Sequence, residues 1–307
     1  MILCAGESLI DMVPENGTFR PLAGGSVYNT AIALGRLGEA TAYLWPISRD
    51  PFGDLLLRPL SEAGVNTDLC PRTDRLTTLA LVTLTGGEAR YSFYDEGSAG
   101  RMLAREDLSA LPDQIQALFA GGISLVPDPC GAAIEALLER DGDRLPVMLD
   151  PNIRPFFITD ANAYRARLSR LIARADIVKL SGDDLEWLYP DLPPEDAARQ
   201  VLAQGPRIVL QTGGAAGARA HWAGDTVTAP AIRTTVADTI GAGDTFNAGV
   251  LASLRRQGVL TKGGLASITA DQIAAALALG AQAAAVTVSR PGANPPWAHE
   301  MPDALSD

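Results

Sequence analysis

The sequence predicts an α/β fold: three α/β/α layers with a mostly parallel central sheet and a small antiparallel β lid. Three observations lead there. Short continuous apolar runs alternate with segments of helical periodicity, the pattern of strands covered on both faces by helices. Two β-rich segments break the alternation and carry hairpin turns. Glycine clusters open two apolar-periodic helices, where unpaired N–H groups gather.

The core strands are expected at Ile2–Ala5, Ala42–Pro46, Ile123–Val126, Val147–Leu149, Ile177–Leu180 and Ile208–Gln211. Between them the apolar spacing predicts helices at Val27–Leu37, Asp54–Ala63, Gly131–Glu139, Ala161–Ala173 and Asp196–Gln204. The last third reads as helices over Ala242–Arg256 and Asp271–Thr287, the second so rich in alanine that it must pack closely. The lid is expected from residues 12–24, a hairpin through Asn16-Gly17, and from residues 75–100, two strands joined through Gly86-Gly87. Neither linker, repeat nor low-complexity stretch divides the chain, so residues 1–307 read as one domain.

With 47% hydrophobic and 20% charged residues, the chain can bury a sizeable core. Its net charge is −11, with only 25 lysines and arginines and no basic run, which argues against a nucleic-acid or anionic-membrane partner. Any phosphate it handles must be neutralised locally. Cys4, Cys70 and Cys130 lack metal-ligand spacing and read as reduced thiols. The first residues do not form a signal peptide, and no run reaches about 18 uninterrupted apolar residues. A soluble, cytoplasmic protein is the expectation.

The most informative segment is Asp238-Thr239-Ile240-Gly241-Ala242-Gly243-Asp244. Gly241, Ala242 and Gly243 open a helix whose free N–H groups and dipole attract an anion. A carboxylate beside a bound phosphate is unfavourable unless a proton transfer or a cation justifies it. Asp244 therefore reads as the base for an attacking hydroxyl. The plainer alternative, an aspartate complementing the helix dipole beside glycines that permit tight packing, stays open. In Ala23-Gly24-Gly25-Ser26-Val27-Tyr28-Asn29, the glycines allow close backbone approach to a ligand. The Asn29 amide offers a donor and an acceptor to adjacent hydroxyls; a glycine turn before an ordinary helix capped by Ser26 is the alternative. The chain has neither a Walker A lysine loop nor a dinucleotide-binding glycine fingerprint. His221 and His299 lie in no motif, and His221 reads as structural.

The two glycine segments resemble the paired signatures of the ribokinase-like, or PfkB, family of carbohydrate kinases, and the resemblance runs over essentially the whole chain. It implies ATP with Mg²⁺, and a site for K⁺, as cofactors, and a sugar hydroxyl as acceptor. Gly6-Glu7-Ser8-Leu9-Ile10-Asp11 resembles the family's opening strand and turn, so Asp11 joins Gly24, Gly25 and Asn29 as a sugar contact. Asp50-Pro51-Phe52-Gly53 resembles a structural turn of the family. Asp150-Pro151-Asn152-Ile153-Arg154 resembles its Asp-x-Asn-x-Arg motif; Arg154 would hold the sugar or the migrating phosphoryl group, a structural salt bridge being the alternative. Thr212, Gly214 and Gly217 fall on its nucleotide loop, and Ser289–Ala293 on its closing loop beside adenine and the monovalent cation. Ser181 and Asp184 stand where many members carry Asn-x-x-Glu; Asp184 would act on Mg²⁺ through water. The lid stretch Tyr91-Ser92-Phe93-Tyr94 resembles fructokinases and 2-keto-3-deoxygluconate kinases, with Tyr94 toward the sugar. Asp95 and Glu96 then stand where an acidic sugar would need a cation, which favours a neutral ketohexose such as fructose unless Arg90 or Arg154 substitutes. A non-catalytic sugar or nucleotide sensor and a nicotinamide-dependent dehydrogenase are the readings from other classes. Lid-mediated dimers in the family imply a homodimer.

Overall fold

A computed structural model describes residues 1–85, 88–223 and 225–301. In chain order the elements are β1 (Ile2–Ala5), β2 (Leu9–Glu15), β3 (Thr18–Gly24), α1 (Ser26–Arg36), β4 (Thr41–Leu44), β5 (Ile47–Ser48), α2 (Pro51–Glu62) and β6 (Arg72–Thr73). Then come β7 (Leu79–Thr85), β8 (Glu88–Tyr94), β9 (Ala117–Gly121), α3 (Cys130–Asp141), β10 (Val147–Asp150), α4 (Ala161–Arg174), β11 (Ile177–Ser181) and α5 (Gly182–Leu188). The chain continues through α6 (Pro194–Leu202), β12 (Ile208–Thr212), β13 (Ala218–Trp222), β14 (Asp225–Ala229), α7 (Ala242–Arg256), α8 (Lys262–Ala266) and α9 (Ala270–Val288).

Among the described residues the main sheet has eight strands in the order β14-β13-β12-β11-β10-β9-β1-β4. From β12 to β4 every pairing is parallel; β13 and β14 extend the edge antiparallel. Strands such as β1 and β10 are buried at every residue, which is why their sequences are unbroken apolar runs. Because the strands run in register, Ala5, Gly121, Asp150, Ser181 and Thr212 all end on one rim, the carboxyl edge where open α/β sheets take ligands.

The expected strand over Ile123–Val126 is corrected. The strand is β9, Ala117–Gly121, and residues 122–125 wind into a single 3₁₀ turn. The apolar run continues through both, so hydrophobicity alone could not place the break. Gly122, at φ 68, turns the chain out of the extended conformation. The α2 helix starts at Pro51, earlier than its apolar pattern, because Asp50 accepts the Gly53 N–H at 2.7 Å and proline suits the first helical position.

The second sheet has the order β3-β2-β7-β8 and grows from the rim. The chain leaves β1, passes Gly6-Glu7-Ser8, makes the β2–β3 hairpin and re-enters the body through Gly24-Gly25 into α1. Asn16 and Gly17, at φ 51 and 79, form the left-handed two-residue turn that matches strand twist. The Gly86-Gly87 turn lies outside the described residues.

The α9 helix is long and apolar enough to cross a membrane, but it packs on α7, β13 and β14. Its approach to α7 is close: a Cβ on Gly249 would stand 2.7 Å from Gly280 Cα and 2.8 Å from the Leu279 carbonyl oxygen. Backbone, unlike a side chain, cannot turn aside. Gly249→Val should therefore lower stability by about 1–3 kcal/mol or more, read as a reduced Tm in thermal unfolding.

Candidate active site

The site is built where α1 and α7 bring their N-terminal turns together at the carboxyl rim. Gly241 caps α7 in the left-handed conformation, φ 77, and no side chain caps this end. A Cβ there would lie 2.8 Å from Ala293 Cβ, so glycine is required by conformation and by space. The Ala242 N–H reaches the Thr239 carbonyl at 3.3 Å; among the described residues the N–H groups of Gly243 and Asp244 meet no carbonyl. That leaves an uncapped, glycine-lined helix terminus with donors for an anion.

Asp244 sits in this first turn and is only 7% exposed. Its Oδ2 accepts the Asn29 Nδ2–H at 2.8 Å, and its backbone carbonyl accepts the Thr30 hydroxyl at 3.2 Å, so α1 grips α7 at this residue. Burial pushes the Asp244 carboxyl up to about 7; the Asn29 hydrogen bond opposes, the Asp150 charge adds, and Lys179 and Arg154 oppose. A carboxylate with that affinity is matched to taking a proton from an alcohol near neutral pH.

Asp11 lies on β2, and a Cβ on Gly24 would stand 2.5 Å from its Oδ2. Burial pushes the Asp11 carboxyl up to about 6. Gly25 precedes α1 at φ 121, with the Glu7 carbonyl 2.4 Å from where a Cβ would be. The structure thus brings together Asp11, Gly24, Gly25, Asn29 and the segment 241–244.

Other expectations change. Strand register puts Asp11, Ala80 and Phe93 in one row, so the lid face that carries Asp11 presents Phe93. Tyr94 points to the opposite face and is 64% exposed; its reading as a sugar contact is corrected by the period of the strand. Phe93 and Tyr91 instead join Phe156, with Phe93 also edge-on to Phe157, tying lid to body just past Arg154. Arg154 is exposed, donates to the Ile153 carbonyl at 3.1 Å, and among the described residues forms no ion pair, which removes the salt-bridge alternative.

Ser181 and Asp184 form a capping box at the start of α5, and Asp184 Oδ1 also accepts the Ile153 N–H at 2.7 Å. Both carboxylate oxygens are engaged and the residue is 2% exposed, so Asp184 braces the Arg154 loop, and direct ligation of a metal would cost these hydrogen bonds. Among the described residues no group of three His, Cys, Asp or Glu could hold a metal. The acidic pair of the lid divides: Glu96 is exposed, and Asp95 is not free. Asp95 accepts from Thr78, Ser98 and, at 3.0 Å, Arg101, so its charge is compensated.

Thr212 ends β12, and Gly213 to Gly217 close a turn in which the Gly213 N–H reaches the Gly217 carbonyl at 2.9 Å. A cleft lined by Gln211, Gly213, Ala216, Gly217, Glu195 and Arg219 opens on the α6 side of this turn. On the other side of Gly241, the Ser289–Ala293 loop is held by the Gly292 N–H on Asp238 Oδ2 at 2.9 Å.

Three residues had no assigned role in the sequence reading. Lys179, 6% exposed, pairs with Asp150 at 3.1 Å, and Asn247 of α7 donates to the same Asp150 oxygen at 2.7 Å. This strut fixes α7 over β10 and β11, with the Lys179 ammonium 3.2 Å from a Cβ on Gly243. A lone lysine inside the apolar run Ile177–Leu180 was the available signal, because unpaired lysine is not buried. Glu7 is the third, buried at the exit of β1, where burial pushes its carboxyl up to about 7.

A buried carboxylate beside an uncapped helix terminus, at the rim of a parallel sheet with an antiparallel cover, is the arrangement of an α/β enzyme of phosphoryl transfer to small molecules. Residues 1–300 match the pfkB family carbohydrate kinases, and the chain belongs to that family. It is 48% identical over 273 residues to a fructokinase of Rhizobium leguminosarum bv. trifolii, covering 87% of this chain and 84% of the relative. A Klebsiella pneumoniae fructokinase is 31% identical, with 83% of this chain and 84% of that one covered. The crystal structure of a Xylella fastidiosa fructokinase with bound ATP superposes with a TM-score of 0.86 at 29% identity, covering 98% and 94% of the two chains.

The raised Asp244 carboxyl has a consequence for stability. A group whose folded pKa lies above its unfolded value favours folding when protonated, and that contribution is lost as pH rises through the folded value. Asp244→Asn keeps an acceptor for Asn29 and removes the ionisation. Its gain in Tm over wild type, without ligands, should grow from pH 5 to pH 7 and level off above, measured by thermal unfolding across pH.

Proposed function

We propose that this protein phosphorylates a primary hydroxyl of D-fructose with MgATP as donor, and that Asp244 is the base. The observation that carries this is the buried Asp244 carboxylate, oriented by Asn29 and set in the first turn of the uncapped α7 terminus. The sugar identity is supported by the relatives: the Rhizobium protein at 48% identity and the ATP-bound Xylella structure both carry the name fructokinase.

The sugar lies between Asp11, Gly24-Gly25 and Asn29, with Phe93 and Arg154 at its lid side. ATP runs along Thr212, Gly214 and Gly217, and its γ-phosphate rests over Gly241–Gly243. The hydroxyl oxygen bonds to the γ-phosphorus while the bond from phosphorus to the ADP bridging oxygen breaks, and the hydroxyl proton passes to Asp244. The first-turn N–H groups and the helix dipole stabilise charge on the phosphoryl oxygens. Mg²⁺ arrives as part of the substrate, held by phosphates and water, in keeping with the engaged Asp184. The Ser289–Ala293 loop against Gly241 is the proposed seat of K⁺. The antiparallel sheet acts as a lid that keeps water from the phosphoryl group, and the whole chain works as one unit. A lid-mediated homodimer in the cytoplasm completes the reading.

A second acceptor has a specific observation behind it. Compensation of Asp95 by Arg101 lessens the repulsion that disfavoured 2-keto-3-deoxygluconate, leaving Glu96 as the exposed acid at that place. ADP release over a sugar panel should show fructose with the largest kcat/KM; a larger value for 2-keto-3-deoxygluconate would transfer the assignment to it.

Asp244→Asn should lower kcat by about 10²–10⁴ with fructose binding retained, and turnover near wild type would remove Asp244 as the base. The base must be ionised to act, so wild-type kcat should fall as pH drops below about 7, read from a pH–rate profile.

A further inference from the structure

We propose that Glu7 is a positioning residue for the sugar side of the site: a side-chain cap supplied from the exit of β1 that fixes the first turn of α1 and, with it, Gly25 and Asn29. The inference rests on the kinase reading above.

The α1 helix lacks the usual local devices at its start. Its N-cap is Gly25, no side chain of its own caps it, and its first turn carries no acid. The Ser26 hydroxyl, the natural candidate, is buried without a hydrogen-bond partner. The work falls to a residue 19 positions earlier. Glu7 Oε1 accepts the Ser26 N–H at 3.0 Å, and Oε2 accepts the Ser124 N–H at 3.2 Å, from the 3₁₀ turn after β9. The Glu7 backbone carbonyl also takes the Tyr28 N–H at 3.3 Å. One residue thus pins the β1–β2 turn, the start of α1 and the exit of β9.

The fit leaves no slack. A Cβ on Gly122 would stand 2.0 Å from Glu7 Oε1, and one on Gly25 would stand 2.4 Å from the Glu7 carbonyl oxygen. Among the described residues no cation pairs with Glu7, so backbone donors and the α1 dipole are what favour its charge. Both oxygens face protein donors, which makes Glu7 a residue that acts through Asn29 rather than one that touches the sugar. Because Asn29 also orients Asp244, a shift of the first turn of α1 reaches the base directly.

Two substitutions separate this role from general stability. Glu7→Gln keeps the shape but turns an amide NH₂ toward a backbone N–H. Ser26→Pro removes the α1 donor, and its ring, standing where the amide hydrogen was, pushes Glu7 Oε1 away, so the cap on α1 is lost while the missing hydroxyl, which has no partner, costs nothing. With fructose and MgATP, each variant should raise KM for fructose roughly tenfold and leave KM for ATP within about twofold. The double variant should raise the fructose KM little beyond Ser26→Pro alone, which already removes the contact between Glu7 and α1. Hydrogen exchange at the amides of residues 27–29 should speed up roughly tenfold without a matching change in the rest of α1. Unchanged exchange there, or equal rises in both KM values with a lowered Tm, would overturn the proposal. Failure of the fructose reading shows separately, as absent turnover in wild type, and exchange still decides the role of Glu7.

Discussion

The site depends on one contact, the hydrogen bond from the Asn29 amide to the Asp244 carboxylate. The glycine-opened terminus of α7 favours negative charge, yet burial disfavours an ionised aspartate, and the balance leaves the carboxyl near 7. An exposed aspartate would be too weak a base. One buried without Asn29, Lys179 and Arg154 nearby would stay protonated. The bond joins the helix that follows the antiparallel sheet to the helix with the uncapped terminus, so the orientation of Asp244 is set by the turn that enters α1 through Gly24-Gly25.

Around that contact the structure holds charge in paired form. Lys179, Asp150 and Asn247 form a buried strut beneath α7, and Asp184 braces the loop of Arg154 through Ile153. Asp95 is compensated by Arg101 beneath the lid. Loss of Lys179 would leave Asp150 buried and unpaired, at a cost of several kcal/mol, and each of the three arrangements fixes an element beside the candidate site. The chain is acidic, yet a helix terminus and a few placed cations supply local positive potential at the rim, independent of net charge.

Much of this was legible in the sequence. The alternation of apolar runs gave the layers, and Asn16-Gly17 gave the hairpin. The glycine clusters before α1 and α7, with Asn29 and Asp244 one turn in, marked the two helix starts that the structure brings into contact. The misses share a cause. Ile123–Val126 and the true strand Ala117–Gly121 lie in one apolar run, and only the left-handed Gly122 shows where extension stops. Tyr94 and Phe93 are neighbours of similar chemistry, and which one faces Asp11 is a matter of register.

By itself the sequence determined the fold class, the pairing of a glycine-lined helix entrance with an aspartate, and the absence of a Walker lysine, because these are local properties of spacing and residue type. Tertiary structure decided which charges are compensated and which stand free. Lys179 meets Asp150 across adjacent strands, Arg101 meets Asp95, Asp184 turns to backbone donors, and Arg154 finds no carboxylate among the described residues. Burial and partner set the behaviour of a charged group, and both are fixed by residues far away in the chain.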